Sequence, residues 1–176
     1  MLGDISNINN NIDLVHILTA VLIVDMVIIL IARDTTIFGK TINKWYNKFT
    51  ITAVVLDVLI IMIGFIITRY IFNIFNITFS PEIFIIILVT VHIVHDIGLY
   101  LFVIVPYPEG NNQIIDVYKE YASEHGNRII AADSITVITS GLLAMYLKDK
   151  EFHETTSLLI CTLYIIPYFL YQKVKY

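Results

Sequence analysis

The sequence predicts an all-α, polytopic membrane helix bundle with about five transmembrane helices, and three observations lead to this fold class. The chain of 176 residues is 57% hydrophobic and 15% charged, whereas soluble domains contain about 25% charged residues. Its mean hydropathy is +0.78. The charges cluster between apolar runs of roughly 20 residues, the length that a helix needs to cross a hydrocarbon core of about 30 Å. We therefore expect one transmembrane domain over residues 1–176, surrounded by a lipid bilayer.

The apolar runs and the polar segments between them define the elements. Residues 35–48 carry lysines beside Trp45 and Tyr46, a mixture that is typical of a membrane interface. Residues 111–125 place apolar side chains at near-helical spacing before Gly126, which predicts a short amphipathic surface helix. The five predicted transmembrane helices cover residues 14–32, 50–72, 82–105, 129–147 and 155–171.

Two of these helices show further signals. The third follows Ser80 and Pro81, which suit an N-cap and a first helical position. The fourth carries Asp133, Thr136 and Ser140 along one stripe, because residues three and four apart share a helix face. The fourth run is also less hydrophobic than the others, so we expect it to be the most buried helix.

The distribution of the Lys and Arg residues predicts the orientation. If the N-terminus lies outside, eight of the eleven basic residues fall in inner segments and three in outer ones. Short inner loops collect positive charge. The bias therefore predicts an outside N-terminus and an inside C-terminus, as five spans require.

The segment VHIVHDIGLY is the clearest candidate site. It places His92, His95 and Asp96 at positions i, i+3 and i+4 of the third predicted helix, so the three side chains share one face. An ionisable group such as Asp costs roughly 2.5 to 3.5 kcal/mol at the centre of a membrane helix. Such groups therefore face a protein interior or a watery cavity.

Three further helices each contribute one acid, namely Asp25, Asp57 and Asp133. With a helical rise of about 1.5 Å, these acids and Asp96 all lie about 6 to 14 Å from the inner ends of their helices. The costs can be offset together only if the groups meet. We therefore predict a polar layer in the inner half of the bundle, formed by Asp25, Asp57, His95, Asp96 and Asp133 with His92 above it.

Three interpretations of this layer remain open. The acids and imidazoles can form a proton or cation pathway, since proton relays use such groups. They can instead form interhelical hydrogen bonds with a purely structural role. They can also hold a divalent metal through His92, His95 and Asp96, because imidazole and carboxylate suit zinc, manganese or non-haem iron.

Several classes of function are excluded or disfavoured by the sequence. The formal net charge of -4 and the lack of a basic stripe argue against nucleic-acid binding. The single cysteine excludes an intrachain disulfide and a thiolate metal cluster. The chain contains no GxSxG motif and no glycine-rich phosphate loop, which argues against a hydrolase with a nucleophile elbow and against a phosphate-loop enzyme. It also contains no TVGYG filter, which argues against a potassium channel.

Four segments carry a resemblance to a known group: NKWYNKF, VVLDVLIIMIGFIITRYIF, VHIVHDIGLYLFVIVPYPEGNN and AADSITVITSGLLAMYL. They look like parts of uncharacterised multi-pass membrane proteins encoded by large DNA viruses of algae and amoebae. The resemblance implies a virus-encoded protein of the virion's internal membrane or of host membranes, with other viral membrane proteins as partners. It assigns no activity and no residue role.

We expect proton or cation conduction or transport as the specific function. One alternative is a structural or assembly protein of a viral membrane, forming homo-oligomers or contacting viral partners. The second alternative is a membrane metalloenzyme that acts on a lipid-like substrate through the His-x-x-His-Asp face, with a divalent metal as its cofactor.

Overall fold

The computed structural model describes residues 2–35 and 37–173, and every regular element within them is helical. The helix that contains the His-His-Asp face continues as a π-helix over Tyr100–Ile104. The all-α prediction is therefore confirmed for the described residues. Each predicted transmembrane segment coincides with a helix, and its first and last residues lie within three positions of the ends of that helix when the π-helix is counted with the α-helix that it continues. The α-helices are α1 (Ile12–Asp34), α2 (Thr41–Phe49), α3 (Ile51–Ile74), α4 (Pro81–Leu99), α5 (Gln113–His125), α6 (Arg128–Lys148) and α7 (Phe152–Leu170).

Helix α1 lies at the centre of the bundle. It packs against α3, α6 and α7, while α4 packs against α3 and α6. Half of the most apolar window of α1 is buried, compared with 28% for α6. The prediction that the fourth transmembrane helix is the most buried was therefore wrong, because α6 packs mainly against α1 and α4, whereas α1 has neighbours on three sides.

Local sequence signals explain where the helices begin and end. The Ser80 hydroxyl accepts a hydrogen bond from the Ile83 amide at 3.4 Å, and Pro81 is the first helical residue, as the sequence predicted. Helix α5 starts after Asn112, whose side-chain oxygen accepts from the Ile114 amide at 2.9 Å. It ends at Gly126, where a φ of +53° favours a residue without a Cβ.

Within residues 2–35 and 37–173, four helices are long and apolar enough to cross a membrane: α1, α3, α6, and α4 together with its π-helical end. Helix α7, the fifth predicted span, is not among them. Polar residues of its first turn, such as His153 and Glu154, lower its hydrophobicity. The fifth span and the orientation of the termini stay predictions.

The two ends of the bundle differ. At the end where α1 begins, the buried carboxylate of Asp13 accepts from Lys148 at 2.5 Å and lies 3.7 Å from the guanidinium of buried Arg69. The opposite end is covered by the short helices α2 and α5, which pack against each other. We call this second end the capped end.

Candidate functional site

A cavity of about 240 Å³ lies at the capped end. Its walls come from α1, α3, α4 and α6, and side chains of α2 and α5 complete them. Its ionisable side chains other than tyrosine are Asp25, Asp57, His92, Asp96 and Asp133.

Five of the six residues singled out in the sequence therefore line one cavity, and the sixth, His95, is absent from its wall. The His95 Nδ1 lies 3.1 Å from the Asp96 Oδ1. His95 thus contacts Asp96, which lines the cavity, and the ionisable lining other than tyrosine consists of four carboxylates and one imidazole.

Two residues of α2 contact the acids directly. Trp45 is 4% exposed and Tyr46 is 1% exposed. The Trp45 indole N–H donates to the Asp57 Oδ2 at 3.0 Å, and the Tyr46 hydroxyl donates to the Asp25 Oδ1 at 3.3 Å. Helix α2 therefore supplies a hydrogen-bond donor to two of the four acids.

The sequence analysis does not identify this role, because Trp45 and Tyr46 beside lysines indicate rings at the membrane interface. A signal was present. Ile42, Trp45, Tyr46 and Phe49 follow the spacing i, i+3, i+4 and i+7, which predicts an amphipathic helix whose apolar face is buried.

The tyrosines beside the acids stay protonated. Burial, together with the nearby charges of Asp25 and Asp57, raises the pKa of Tyr46 well above its ordinary value. On α5, burial and nearby carboxylates, Asp133 first, raise the pKa of Tyr121 to about 12. These hydroxyls therefore act at neutral pH as neutral donors or acceptors, and they add no charge to the cavity.

His92 is held in a narrow space between α3 and α4. It is 4% exposed, and its Nε2 has no hydrogen-bond partner among the described residues. A Cβ at Gly64 of α3 would collide with the His92 ring. Gly64, which has no side chain, therefore lies against His92 and makes room for the imidazole.

The side chains that line the cavity give it a strongly acidic character. Its described lining contains four aspartates and no Lys or Arg. The Asp25 Oδ2 is buried and has no hydrogen-bond partner within residues 2–35 and 37–173. Ionised carboxylates in a low-dielectric site are costly unless a counter-charge or a proton neutralises them. The cavity therefore requires protons or a bound cation.

The described residues contain no preassembled metal centre. No group of three or more His, Cys, Asp or Glu side chains in the described part of the chain is arranged to hold a metal ion. His92, His95 and Asp96 share a helix face, but His95 pairs with Asp96 and His92 lies under Gly64. The metal site predicted from the HxxHD spacing stays a prediction.

Helices α2 and α5 are tied together over the cavity by Glu124 of α5. Its carboxylate accepts from the backbone amides of Lys40 and Thr41, both at 2.9 Å. The hydrogen bond with the Thr41 hydroxyl, followed by those backbone bonds, lowers the pKa of Glu124 to about 2. Glu124 thus caps the N-terminus of α2 from another helix, where a negative charge is favourable.

The cavity does not continue through the bundle. One to three helical turns beyond the acids, Val21, Phe65, Leu88 and Ala144 are each 0% exposed and belong to one apolar core. These residues come from all four helices that form the walls. The described side chains therefore close the path towards the end where α1 begins.

Comparisons with protein-family models, with curated proteins and with solved structures find no match to the chain. The described residues define an α-helical protein with four helices able to span a membrane and an acidic cavity at one end.

Proposed function

We propose that the protein binds protons or cations in the acidic cavity and carries them across the membrane. The observation that supports this proposal best is the convergence of four aspartates and one histidine on one cavity between helices long enough to span a bilayer, with no Lys or Arg in the described lining. Intramembrane acids of this kind mark ion or proton pathways.

The closed apolar core favours a carrier over an open channel. A channel needs a continuous polar path, whereas packed side chains separate this cavity from the far end of the bundle. A carrier exposes its site to one side at a time. Transport then requires a second conformation in which the core between α1, α3, α4 and α6 opens.

Proton flux into liposomes tests the proposal. Purified protein is reconstituted with an entrapped pH-sensitive dye, and flux is measured under an imposed potential. The key variant is Asp25→Asn, because it removes the charge and keeps the side-chain volume and an acceptor for Tyr46. Glu109→Gln is the control, since Glu109 is exposed in the loop after α4 and the substitution removes the same charge.

We expect wild-type flux above that of protein-free liposomes, a loss of this excess in Asp25→Asn, and wild-type flux in Glu109→Gln. Cation uptake is measured on the same vesicles, with the same variants. If the acids serve only to hold α2 in place, Asp25→Asn and Glu109→Gln will show the same flux. Equal flux in wild type and in folded Asp25→Asn would therefore overturn the proposal.

A further inference from the structure

We infer that the cavity binds an organic ammonium ion with an apolar body, about the size of a small aromatic amine. This inference rests on the proposed function, because it names the class of cation that the same site would take. Three properties of the cavity carry it: the volume, the composition of the walls and the position of the unpaired acceptor.

The cavity is too large for a bare metal ion. Its volume of about 240 Å³ is far above the roughly 10 to 15 Å³ that a single water molecule needs. A metal ion needs several ligands at 2.0 to 2.6 Å, and the described residues offer no such group. The cavity approaches the lower end of the range for small-molecule sites, about 300 Å³.

The walls suit a cation that also carries apolar surface. Aliphatic side chains such as Ile28, Ile61 and Val137 line the cavity together with Phe38 and five further aromatic rings. Aromatic faces attract ammonium groups, and this attraction grows when water is excluded. The five rings belong to Trp45, Tyr46, Tyr100, Tyr118 and Tyr121.

The hydrogen-bonding groups select an ammonium with N–H donors. The donors of Trp45 and Tyr46 already point at Asp57 and Asp25. The second oxygen of Asp25 remains without a partner in the described structure and is buried. A primary ammonium supplies both a donor and a positive charge to that oxygen, whereas an anion would meet four carboxylates and no basic side chain.

The chain offers a direct reporter for this binding. Trp45 is its single tryptophan and lines the cavity, so the intrinsic tryptophan fluorescence reports on this site alone. The probe is 2-phenylethylamine at neutral pH, titrated into detergent-solubilised protein. The matched neutral probe is 2-phenylethanol, which has nearly the same shape and partitions into the same micelles.

We expect a saturable change in Trp45 fluorescence with the amine and none with the alcohol over the same concentrations. Asp25→Asn should weaken amine binding about tenfold or more, as expected from the loss of one charged hydrogen bond. Glu109→Gln should bind as wild type does. Asp57→Asn gives a second test within the cavity, and circular dichroism confirms that each variant is folded.

Three results would overturn the inference: no saturable response to the amine, an equal response to the alcohol, or saturation by ZnCl2 with no response to the amine. The comparison of the amine with the alcohol on the wild-type protein tests the inference even if a variant does not fold. Proton flux that depends on Asp25, without amine binding, would remove this inference and leave the proposed function. Amine binding without any flux would remove transport and leave the site.

Discussion

Gly64 and His92 provide the sharpest test of how the cavity is built. Gly64→Ala adds one methyl group to α3 where it meets the imidazole. The new carbon would lie 2.7 Å from both Cδ2 and Cε1 of His92, and closer still to Nε2. Carbon atoms in contact prefer about 3.5 to 4.0 Å. Because the ring is almost fully buried, α3 and α4 must separate or His92 must move.

The size of the effect follows from two opposing contributions. Overpacking of a well-packed core costs about 1 to 3 kcal/mol, while replacing Gly by Ala in a helix gains up to about 1 kcal/mol. Gly98 of α4 isolates the second contribution, because no heavy atom in the described structure lies within 4 Å of a Cβ placed there. The difference between Gly64→Ala and Gly98→Ala therefore measures the overlap itself.

Thermal unfolding in detergent, followed by circular dichroism, is the assay. For a chain of this length each kcal/mol moves the midpoint by about 2 to 4 °C, so Gly64→Ala should unfold roughly 2 to 12 °C below Gly98→Ala. In a His92→Ala background the overlap disappears, and the two alanine variants should shift the midpoint alike. Equal stability of Gly64→Ala and Gly98→Ala in the wild-type background would refute the close packing of Gly64 on His92.

Three further predictions concern the ends of the bundle. Glu124→Gln should weaken the capping of α2 by about 1 kcal/mol and speed amide hydrogen exchange in its first turn. The control, Glu120→Gln, breaks an exposed ion pair and should leave this exchange unchanged. Similar exchange in both variants would contradict the cap. Since the pKa of Glu124 falls from 4.5 to about 2, the cap contributes its full stability to α2 above about pH 4.5, and this stability is lost as the pH falls towards 2. Loss of the cap between pH 7 and 5 would contradict this assignment. Asp13→Asn leaves buried Arg69 without its nearest negative charge, so the thermal midpoint should fall by about 6 to 20 °C. Glu120→Gln is again the control. An unchanged midpoint in Asp13→Asn would refute the ion pair.

The helices could be predicted closely from the sequence, and the packing order could not. Their boundaries follow from local signals, such as Ser80 before Pro81 and Gly126 after α5. The central position of α1 leaves no such signal, because side chains that face lipid are as apolar as those that face the core. Helix α2 has nine residues, too few to be stable alone, and its burial depends on contacts that only the folded chain provides.

The acids of the site could be predicted, but their partners could not. A buried carboxylate is costly anywhere in a bilayer, so Asp25, Asp57 and Asp133 stand out in any apolar run. Trp45 and Tyr46 have no such cost at a membrane surface, where both residue types are common. Their hydrogen bonds to the acids depend on the angle at which α2 folds back over the cavity, which no local pattern encodes.

This arrangement also determines which end of the cavity opens at lower cost. At the capped end, Trp45 and Tyr46 meet the acids through hydrogen bonds. If α2 and α5 move away, these two short helices expose the apolar surface of Trp45, Tyr46 and Val117, while water takes the place of the donors to the acids at little cost. At the other end, opening would separate the long helices α1, α3 and α4 at Val21, Phe65 and Leu88, where no hydrogen bond to water offsets the exposed core or the void. We therefore expect the cavity to exchange protons or ligand with water through the capped end first.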